Sequence, residues 1–171
     1  FTRIYFRKFY IHLNIVISKL SNSNLLIAFE YLKKDPIMSF FISNFGNEVD
    51  VNERNNSNYA IALCNLIIEQ QISFKAAITI KKKFHDLISN KSNKQILELE
   101  NNTIQKIGVS FKKVEYMKNV LSFFEENHLD LESLDQNQIE KKLIKIKGIG
   151  KWTIEMFLMF VVLKPDIFSY G

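Results

Sequence analysis

The sequence predicts an all-α protein, and three observations lead to that prediction. The 171 residues include only 5 Gly and 2 Pro, too few for the many tight turns of a β-sandwich. After residue 20, apolar residues recur at three- and four-residue spacing along most of the chain. Ser or Asp stands directly before several of these periodic segments, as is typical of the residues that cap helix N-termini.

The first three predicted helices lie before residue 70. A periodic segment from Leu25 to Leu32 predicts the first of them. The second begins at Asp35, because Asp can cap a helix and Pro36 fits its first turn, and Gly46 closes it. A polar loop without periodicity follows, and an apolar helix is predicted over residues 59–69.

Six further helices are predicted after that loop and helix. Ser73 and Ser110 are placed to cap two of them, and Asp135 with Gln138 forms a capping box for a third. The predicted spans are, in order, a helix after Ser73, short helices near 94–99 and 102–107, and helices over 111–127, 136–144 and 150–163.

The composition excludes several kinds of site. Cys64 is the only cysteine, so the sequence cannot build a disulfide framework, a Cys-rich zinc site or a four-Cys iron–sulfur cluster. No apolar run reaches the roughly 18 residues that a membrane span needs, and we expect no membrane partner. The net charge of +5 fits a polyanionic partner.

Residues 1–19 differ from the rest of the chain. Aromatic and basic residues alternate from Phe1 to Phe9, and no acidic residue appears before Glu30. This pattern is typical of a mitochondrial presequence, but the edge of a fragment or a strand packed on the domain would also explain it. We therefore separate residues 1–19, as an extension of open role, from a domain over residues 20–171.

The most informative segment is residues 147–151, Lys-Gly-Ile-Gly-Lys, which joins two predicted helices. Gly148 and Gly150 let the backbone turn tightly and approach another chain closely. The helix start that follows presents unpaired N–H groups and a positive dipole end, which bind phosphate, and Lys147 and Lys151 add charge. This is the helix-hairpin-helix pattern, which holds a DNA strand by its phosphates. An ordinary αα-hairpin is the alternative, which the flanking sequence disfavours.

Three separated blocks resemble the helix-hairpin-helix DNA glycosylases, in the alkylation-repair branch of the 3-methyladenine DNA glycosylase II type. Residues 68–77 are similar to the family's Gln-Gln-x-Ser-x-x-Ala-Ala junction, and residues 107–113 to its Gly-x-Ser-x-x-Lys turn. The third block is the hairpin followed by the Pro-Asp-Ile-Phe sequence at 165–168. The resemblance covers about residues 20–171 and implies helical lobes around a base-binding cleft.

The resemblance implies a monofunctional DNA glycosylase of base-excision repair, which hydrolyses the N-glycosidic bond of alkylated purines after base flipping. Relatives that also cut the DNA backbone carry a nucleophilic Lys directly before the hairpin Thr153, and here that position is Trp152. A non-catalytic helix-hairpin-helix DNA-binding module and a helical partner-binding domain are the alternatives.

The resemblance also implies the setting in which the protein works. The expected partner is double-stranded DNA that contains alkylated bases, and the protein is expected to be a monomer that requires no cofactor. A nuclear location is expected in a eukaryote, with a mitochondrial one left open by residues 1–19, and a cytoplasmic one otherwise.

The resemblance gives two side chains distinct roles. Trp152 is expected in the base pocket, where an aromatic face attracts a cationic alkylated purine, and a core Trp is the alternative. Gln71 is expected to fill the gap that the flipped base leaves, and a buried polar cap for the next helix is the alternative. The residues expected to contact DNA are Gln70, Ser73, Ser110, Lys113, Lys147, Gly148, Gly150, Lys151 and Thr153, although helix capping alone would explain Ser110.

The family's catalytic carboxylate has no counterpart in the printed sequence. In the family pattern Pro-Asp-x-Phe-x-x-Gly-Asp, the essential Asp lies six residues after the position of Asp166, which is immediately after Gly171. We therefore expect a C-terminally incomplete glycosylase domain that is inactive as given. The backbone carbonyls of Ile144, Ile146 and Ile149 resemble those that hold a Na⁺ or K⁺ ion in relatives.

Overall fold

A computed structural model describes residues 19–51, 58–165 and 167–169. Residues 1–18 of the expected N-terminal extension and residues 52–57 of the predicted polar loop lie outside the described residues. Asp166 and Gly171 also lie outside them. All regular structure in the described part is helical, which confirms the all-α prediction.

The described part of the chain contains nine α-helices and one short 3₁₀ helix, close to the predicted spans. In chain order they are α1 (Asn22–Leu32), α2 (Pro36–Phe45), the 3₁₀ helix (Gly46–Glu48), α3 (Tyr59–Glu69), α4 (Phe74–Ile88), α5 (Asn93–Leu97), α6 (Asn101–Gln105), α7 (Phe111–Glu126), α8 (Gln136–Leu143) and α9 (Lys151–Phe160).

Polar side chains cap the starts of most of the described helices. The Asp35 carboxylate accepts two backbone N–H groups of the first turn of α2, and Pro36 occupies the first helical position. Asp135 and Gln138 form the predicted capping box of α8. Ser92 forms a second capping box at α5 that the sequence analysis did not identify. Because each cap contributes about 1 kcal/mol, these local signals set the helix boundaries well.

The end of α9 differs from the prediction. The apolar run continues to Leu163, but the helix ends at Phe160. Leu163 has φ of 59°, and the next amide, Lys164 N–H, donates to the Leu158 carbonyl at 2.9 Å. The predicted span to residue 163 is therefore wrong by three residues. Apolar spacing indicates which residues are buried, but it does not indicate where a helix ends.

The chain forms two compact units. The first contains the described residues of 19–51 and 158–169, and the second contains residues 58–157. In the first unit, α1 packs against α2. None of the described helices combines the length and the apolar composition that a membrane crossing requires.

Helices α3 and α7 form the centre of the second unit. They pack against each other, α4 packs on α3, and α5 and α6 pack on α7. Between Ala60 and Ile68, every apolar residue of α3 is buried. As predicted, α7 buries Val114, Met117 and Leu121, whereas Phe124 is only half-buried. This helix pair is the frame from which the candidate site is built.

A pair of isoleucine variants tests this packing. Ile67 of α3 is 0% exposed, whereas Ile78 of α4 is 50% exposed. Ile67→Ala should lower the free energy of unfolding by about 2–5 kcal/mol, because it removes buried methyl groups and leaves a cavity. Ile78→Ala should change it by less than about 0.5 kcal/mol. Urea denaturation measures both, and equal losses would contradict the described core.

Candidate nucleic-acid interface

The hairpin turn between α8 and α9 rests on the aromatic ring of Tyr116 in α7. Gly148 has φ of 104°, in the left-handed region that favours glycine. A Cβ atom built on Gly148 would overlap the Tyr116 ring carbons. Ile146 and Ile149 on either side are buried. The fold therefore requires glycine at position 148 for two independent reasons.

Three hydrogen bonds hold the backbone of this turn. The Ile146 amide donates to the Leu143 carbonyl and the Ile149 amide donates to the Ile146 carbonyl, both at 3.0 Å. The side-chain amide of Asn119 in α7 donates to the Lys147 carbonyl at 3.1 Å. The turn is thus anchored to α7 by the side chain of Asn119 as well as by the approach to Tyr116.

The start of α9 is open to approach. Gly150 accepts the first helical bond from the Ile154 amide at 3.1 Å, which makes it the N-cap residue. No heavy atom lies within 4 Å of a Cβ built on Gly150, and both Gly150 and Lys151 are exposed. The first-turn amides of a helix have no partner within the helix, so this end can bind an anion.

Lys147 forms an ion pair with Glu115 of α7, with its Nζ atom 2.6 Å from a carboxylate oxygen. The hydrogen bond from Lys147 to Glu115 raises the pKa of the lysine. Both side chains are at least half exposed, and pairs of this kind contribute little to stability. Lys147 can therefore exchange Glu115 for another anion at small cost.

The turn between α3 and α4 holds Gln71 in an unusual backbone conformation. Its φ is 55°, which for a residue other than glycine costs about 1–2 kcal/mol. The Gln71 side chain is exposed. The cap of α4 is instead Ser73, whose hydroxyl accepts from the Ala76 amide at 3.3 Å. The alternative that Gln71 is a buried helix cap is therefore wrong.

One hydrogen bond joins this turn to the hairpin helix. The side-chain amide of Gln70 donates to Thr153 Oγ1 at 3.0 Å. Thr153 is only 2% exposed, and a buried hydroxyl is costly without a partner. The bond therefore fixes the turn beside the first turn of α9, although the two residues are far apart in sequence.

Lys113 bonds to the same turn from α7. Its ammonium group donates to the carbonyls of Ile68 at 2.9 Å and Gln70 at 2.6 Å. Burial lowers the pKa of this lysine. Ser110 caps α7 by accepting from the Lys113 amide at 3.3 Å. Two residues expected to contact DNA thus make bonds within the protein.

These elements border one cleft of the second unit, with a volume of about 550 Å³. Trp152 in its lining is 41% exposed, so the alternative of a core tryptophan is wrong. None of the lining residues carries a carboxylate. The lining residues are Gln70, Gln71, Ser110, Lys112, Lys113, Tyr116, Gly150, Trp152 and Thr153.

The cleft brings together most of the predicted site and adds two residues. Seven of its nine lining residues were expected from the sequence, and Ser73, Lys147, Gly148 and Lys151 are not among them. The sequence analysis missed Lys112 and Tyr116. Lys112 and Tyr116 are four residues apart and so share one face of α7, but this spacing alone does not distinguish a cleft from any other helix face.

The remaining expectations concern a metal and the catalytic groups. Within the described ranges, no group of three His, Cys, Asp or Glu side chains could hold a metal ion. The cation site at the carbonyls of Ile144, Ile146 and Ile149 stays a prediction; the Ile146 carbonyl accepts a backbone bond there. His85 and His128 are exposed. The catalytic Asp expected after Gly171 stays a prediction.

The sequence has relatives of known or assigned activity, although no protein-family model matches it. It is 29% identical over 155 residues to the DNA-3-methyladenine glycosylase of Saccharomyces cerevisiae, covering 81% of this chain and 52% of that protein. It is 30% identical over 123 residues to the putative DNA-3-methyladenine glycosylase YfjP of Bacillus subtilis, covering 64% of this chain and 43% of that protein. The chain thus spans about half the length of the curated relatives that it matches.

The chain is also similar to solved structures, including the following two. The DNA-3-methyladenine glycosidase of Bacillus halodurans has a TM-score of 0.62 at 34% identity, over 68% of this chain and 56% of that one. The 3-methyladenine DNA glycosylase Mag1 of Schizosaccharomyces pombe, in complex with abasic DNA, has a TM-score of 0.70 at 24% identity, over 79% and 69%. The predicted helix-hairpin-helix glycosylase fold is confirmed. All four proteins are described as 3-methyladenine DNA glycosylases or glycosidases, one of them putatively, and this chain is similar to them in sequence.

The two hairpin glycines should respond differently to the same substitution. Gly148→Ala should lower the free energy of unfolding by about 2–4 kcal/mol, because it combines a left-handed φ with overlap on Tyr116. Gly150→Ala should change it by no more than about 1 kcal/mol, since its Cβ meets open space and the only cost is that of Ala in place of Gly at a helix N-cap. Chemical denaturation compares them. A Gly148→Ala protein as stable as Gly150→Ala would disprove the described turn.

Proposed function

We propose that this chain is the DNA-holding and base-recognition part of a DNA glycosylase that hydrolyses the N-glycosidic bond of alkylated purines. The observation that carries the proposal is the meeting of three features at one cleft: the open start of α9, Trp152 and the exposed Gln71 turn. The names of the relatives, DNA-3-methyladenine glycosylases, support the substrate class.

The start of α9 is the proposed phosphate site. The open space beside Gly150 lets a phosphate approach the first-turn amides, where the helix dipole favours negative charge. Exposed Lys151 adds a positive charge beside it. Phosphate contacts carry no sequence information, so this site would hold double-stranded DNA wherever damage occurs.

Gln71 is proposed to take the place of the flipped base. An enzyme that acts on a base must rotate it out of the stack, which leaves a gap in the duplex. Gln71 lies at the exposed tip of a turn that borders the same cleft as the phosphate site. Its amide can both fill the gap and hydrogen-bond to the base left unpaired.

Trp152 is proposed to recognise the damaged base. Purines alkylated at N3 or N7 carry a delocalised positive charge, which also weakens the glycosidic bond. A tryptophan face attracts such a cation by about 0.5–2 kcal/mol, depending on how far water is excluded. Because a normal purine is neutral, the exposed ring in the cleft would favour alkylated bases.

The hydrolysis itself needs a further group. Cleavage passes through an oxocarbenium-like state, which a carboxylate stabilises while it orients the attacking water. No residue that lines the described cleft carries a carboxylate. The sequence resemblance implies that Trp152 stands where backbone-cutting relatives carry their lysine nucleophile. We therefore propose a water-using mechanism whose carboxylate is the Asp expected after Gly171.

The second candidate function is a non-catalytic helix-hairpin-helix DNA-binding module. The lack of a carboxylate in the lining of the described cleft favours it. Release of methylated purines from alkylated duplex DNA separates the two candidates, if the 171-residue chain is compared with the protein extended past Gly171 by its native sequence. Release by the extended protein alone supports the glycosylase, and binding without release by both supports the module.

Gly150→Asp tests the phosphate site. The variant places a carboxylate where the phosphate should lie, and it should weaken duplex binding by at least about 30-fold, or about 2 kcal/mol. Asn101→Asp is the matched control, because it adds the same charge at an exposed residue outside the cleft. Fluorescence anisotropy measures the affinities. For the wild type, the logarithm of the affinity should fall by about 0.9 for each phosphate contact when the salt concentration rises tenfold. Unchanged affinity in Gly150→Asp would contradict the hairpin assignment.

Trp152→Ala tests base recognition in the extended protein. The activation free energy for excision of alkylated purines should rise by about 1–3 kcal/mol, which is the range of base–aromatic stacking, and kcat/KM should fall accordingly. Non-specific duplex affinity should change little, since the ring meets a base only after flipping. Phe40→Ala, which removes another exposed ring, controls for general effects. If duplex affinity falls as far as excision does, Trp152 is a general DNA contact instead.

A further inference from the structure

We infer that Lys113 is a positioning residue for base flipping, which holds the turn that carries Gln71 in the geometry that enters the duplex. The inference rests on the proposed function, because it concerns how the same site is held ready. It replaces the direct DNA contact that the sequence resemblance implies for this lysine.

The bonds of Lys113 end on the last carbonyls of α3. The Ile68 carbonyl belongs to the final turn of that helix, where carbonyls have no partner within the helix. Gln70 is the C-cap residue, and its carbonyl directly precedes Gln71. The ammonium group donates to both carbonyls, at 2.9 and 2.6 Å. A positive charge at this end also complements the helix dipole.

These bonds leave the ammonium group of Lys113 poorly placed for a phosphate. To reach DNA, the ammonium group would have to break both hydrogen bonds, and the Ile68 carbonyl would lose this donor. The lysine is partly buried, and burial lowers its pKa, which fits an ammonium group that has exchanged bulk water for protein partners. Exposed Lys112 and Lys151 are better placed for phosphate contacts.

The conformation of Gln71 explains why such an anchor is needed. A residue in the left-handed region stays there only when its surroundings fix it. Three contacts do so around Gln71: the side chain of Gln70 bonds to Thr153, Lys113 bonds to the Gln70 carbonyl, and Ser73 caps the next helix. Without the Lys113 ammonium group, the Gln70 carbonyl loses the hydrogen bond that fixes its direction. The backbone at Gln71 can then leave the left-handed conformation.

The test separates insertion into DNA from binding to DNA. The 171-residue chain is mixed with a duplex that carries a tetrahydrofuran abasic analogue opposite 2-aminopurine, whose fluorescence rises when the base is unstacked. Affinity for an intact duplex of the same sequence is measured in parallel. Lys113→Met removes the ammonium group but keeps the chain length, and Lys113→Arg keeps the charge and offers two donors.

We expect Lys113→Met to reduce the fluorescence rise at saturation by at least about fivefold. A factor of five corresponds to about 1 kcal/mol, the lower end of the cost of a strained backbone conformation. Its affinity for the intact duplex should stay within about twofold, which is below 0.5 kcal/mol. Lys113→Arg should recover most of the rise. Lys118→Met is the matched control, because Lys118 of the same helix bonds to the Leu99 carbonyl at 2.6 Å, away from the cleft. It should leave the fluorescence unchanged.

Each contrary outcome has a distinct meaning. A full fluorescence rise in Lys113→Met overturns the inference, and so does an equal loss of intact-duplex affinity, which would make Lys113 a phosphate contact. A wild-type chain that binds no duplex contradicts the proposed function itself. If Lys113→Met does not fold, Lys113→Gln, whose side chain is uncharged and one bond shorter, gives the same comparison, and an undiminished rise there also overturns the inference.

Discussion

The approach of the Gly148 backbone to the ring of Tyr116 fixes the hairpin on α7, and the rest of the site depends on it. The contact exists only because position 148 has no Cβ atom and can take φ of 104°. The same helix reaches the end of α3 through Lys113. A single helix thus holds both turns that border the cleft, the hairpin turn through the Tyr116 ring and the Gln71 turn through the Lys113 side chain.

The two turns are built for different tasks. The hairpin turn is relaxed and well bonded, and its outer edge at Gly150 is empty, as a site for a backbone phosphate requires. The turn at Gln71 carries an unfavourable conformation that its neighbours maintain, which is typical of functional positions. The hydrogen bond from Gln70 to Thr153 joins the two. Holding DNA and distorting it would then be separate functions of one connected structure, with the chemistry supplied by a third element.

The sequence predicted most helices and most of the residues that border the cleft, because the decisive signals are local. Ser73, Ser110 and Asp135 cap the helices that follow them, and two glycines around Ile149 specify the turn. The end of α9 was not predicted, since it depends on a turn closed by the bond from Lys164 to Leu158. The partners of Gln70 and Lys113 could not be predicted either. They lie 83 and 43 residues away, and only the fold brings them together.

The central claim is that the start of α9 receives a DNA phosphate while the neighbouring turn enters the duplex. Amide chemical shifts of the ¹⁵N-labelled chain, titrated with a duplex that contains one tetrahydrofuran abasic analogue, test it most directly. We predict that the largest shifts occur at Gly150, Lys151 and Gln71. Shifts confined to other surfaces, such as the pocket bordered by Asn93 and His128, would contradict the claim.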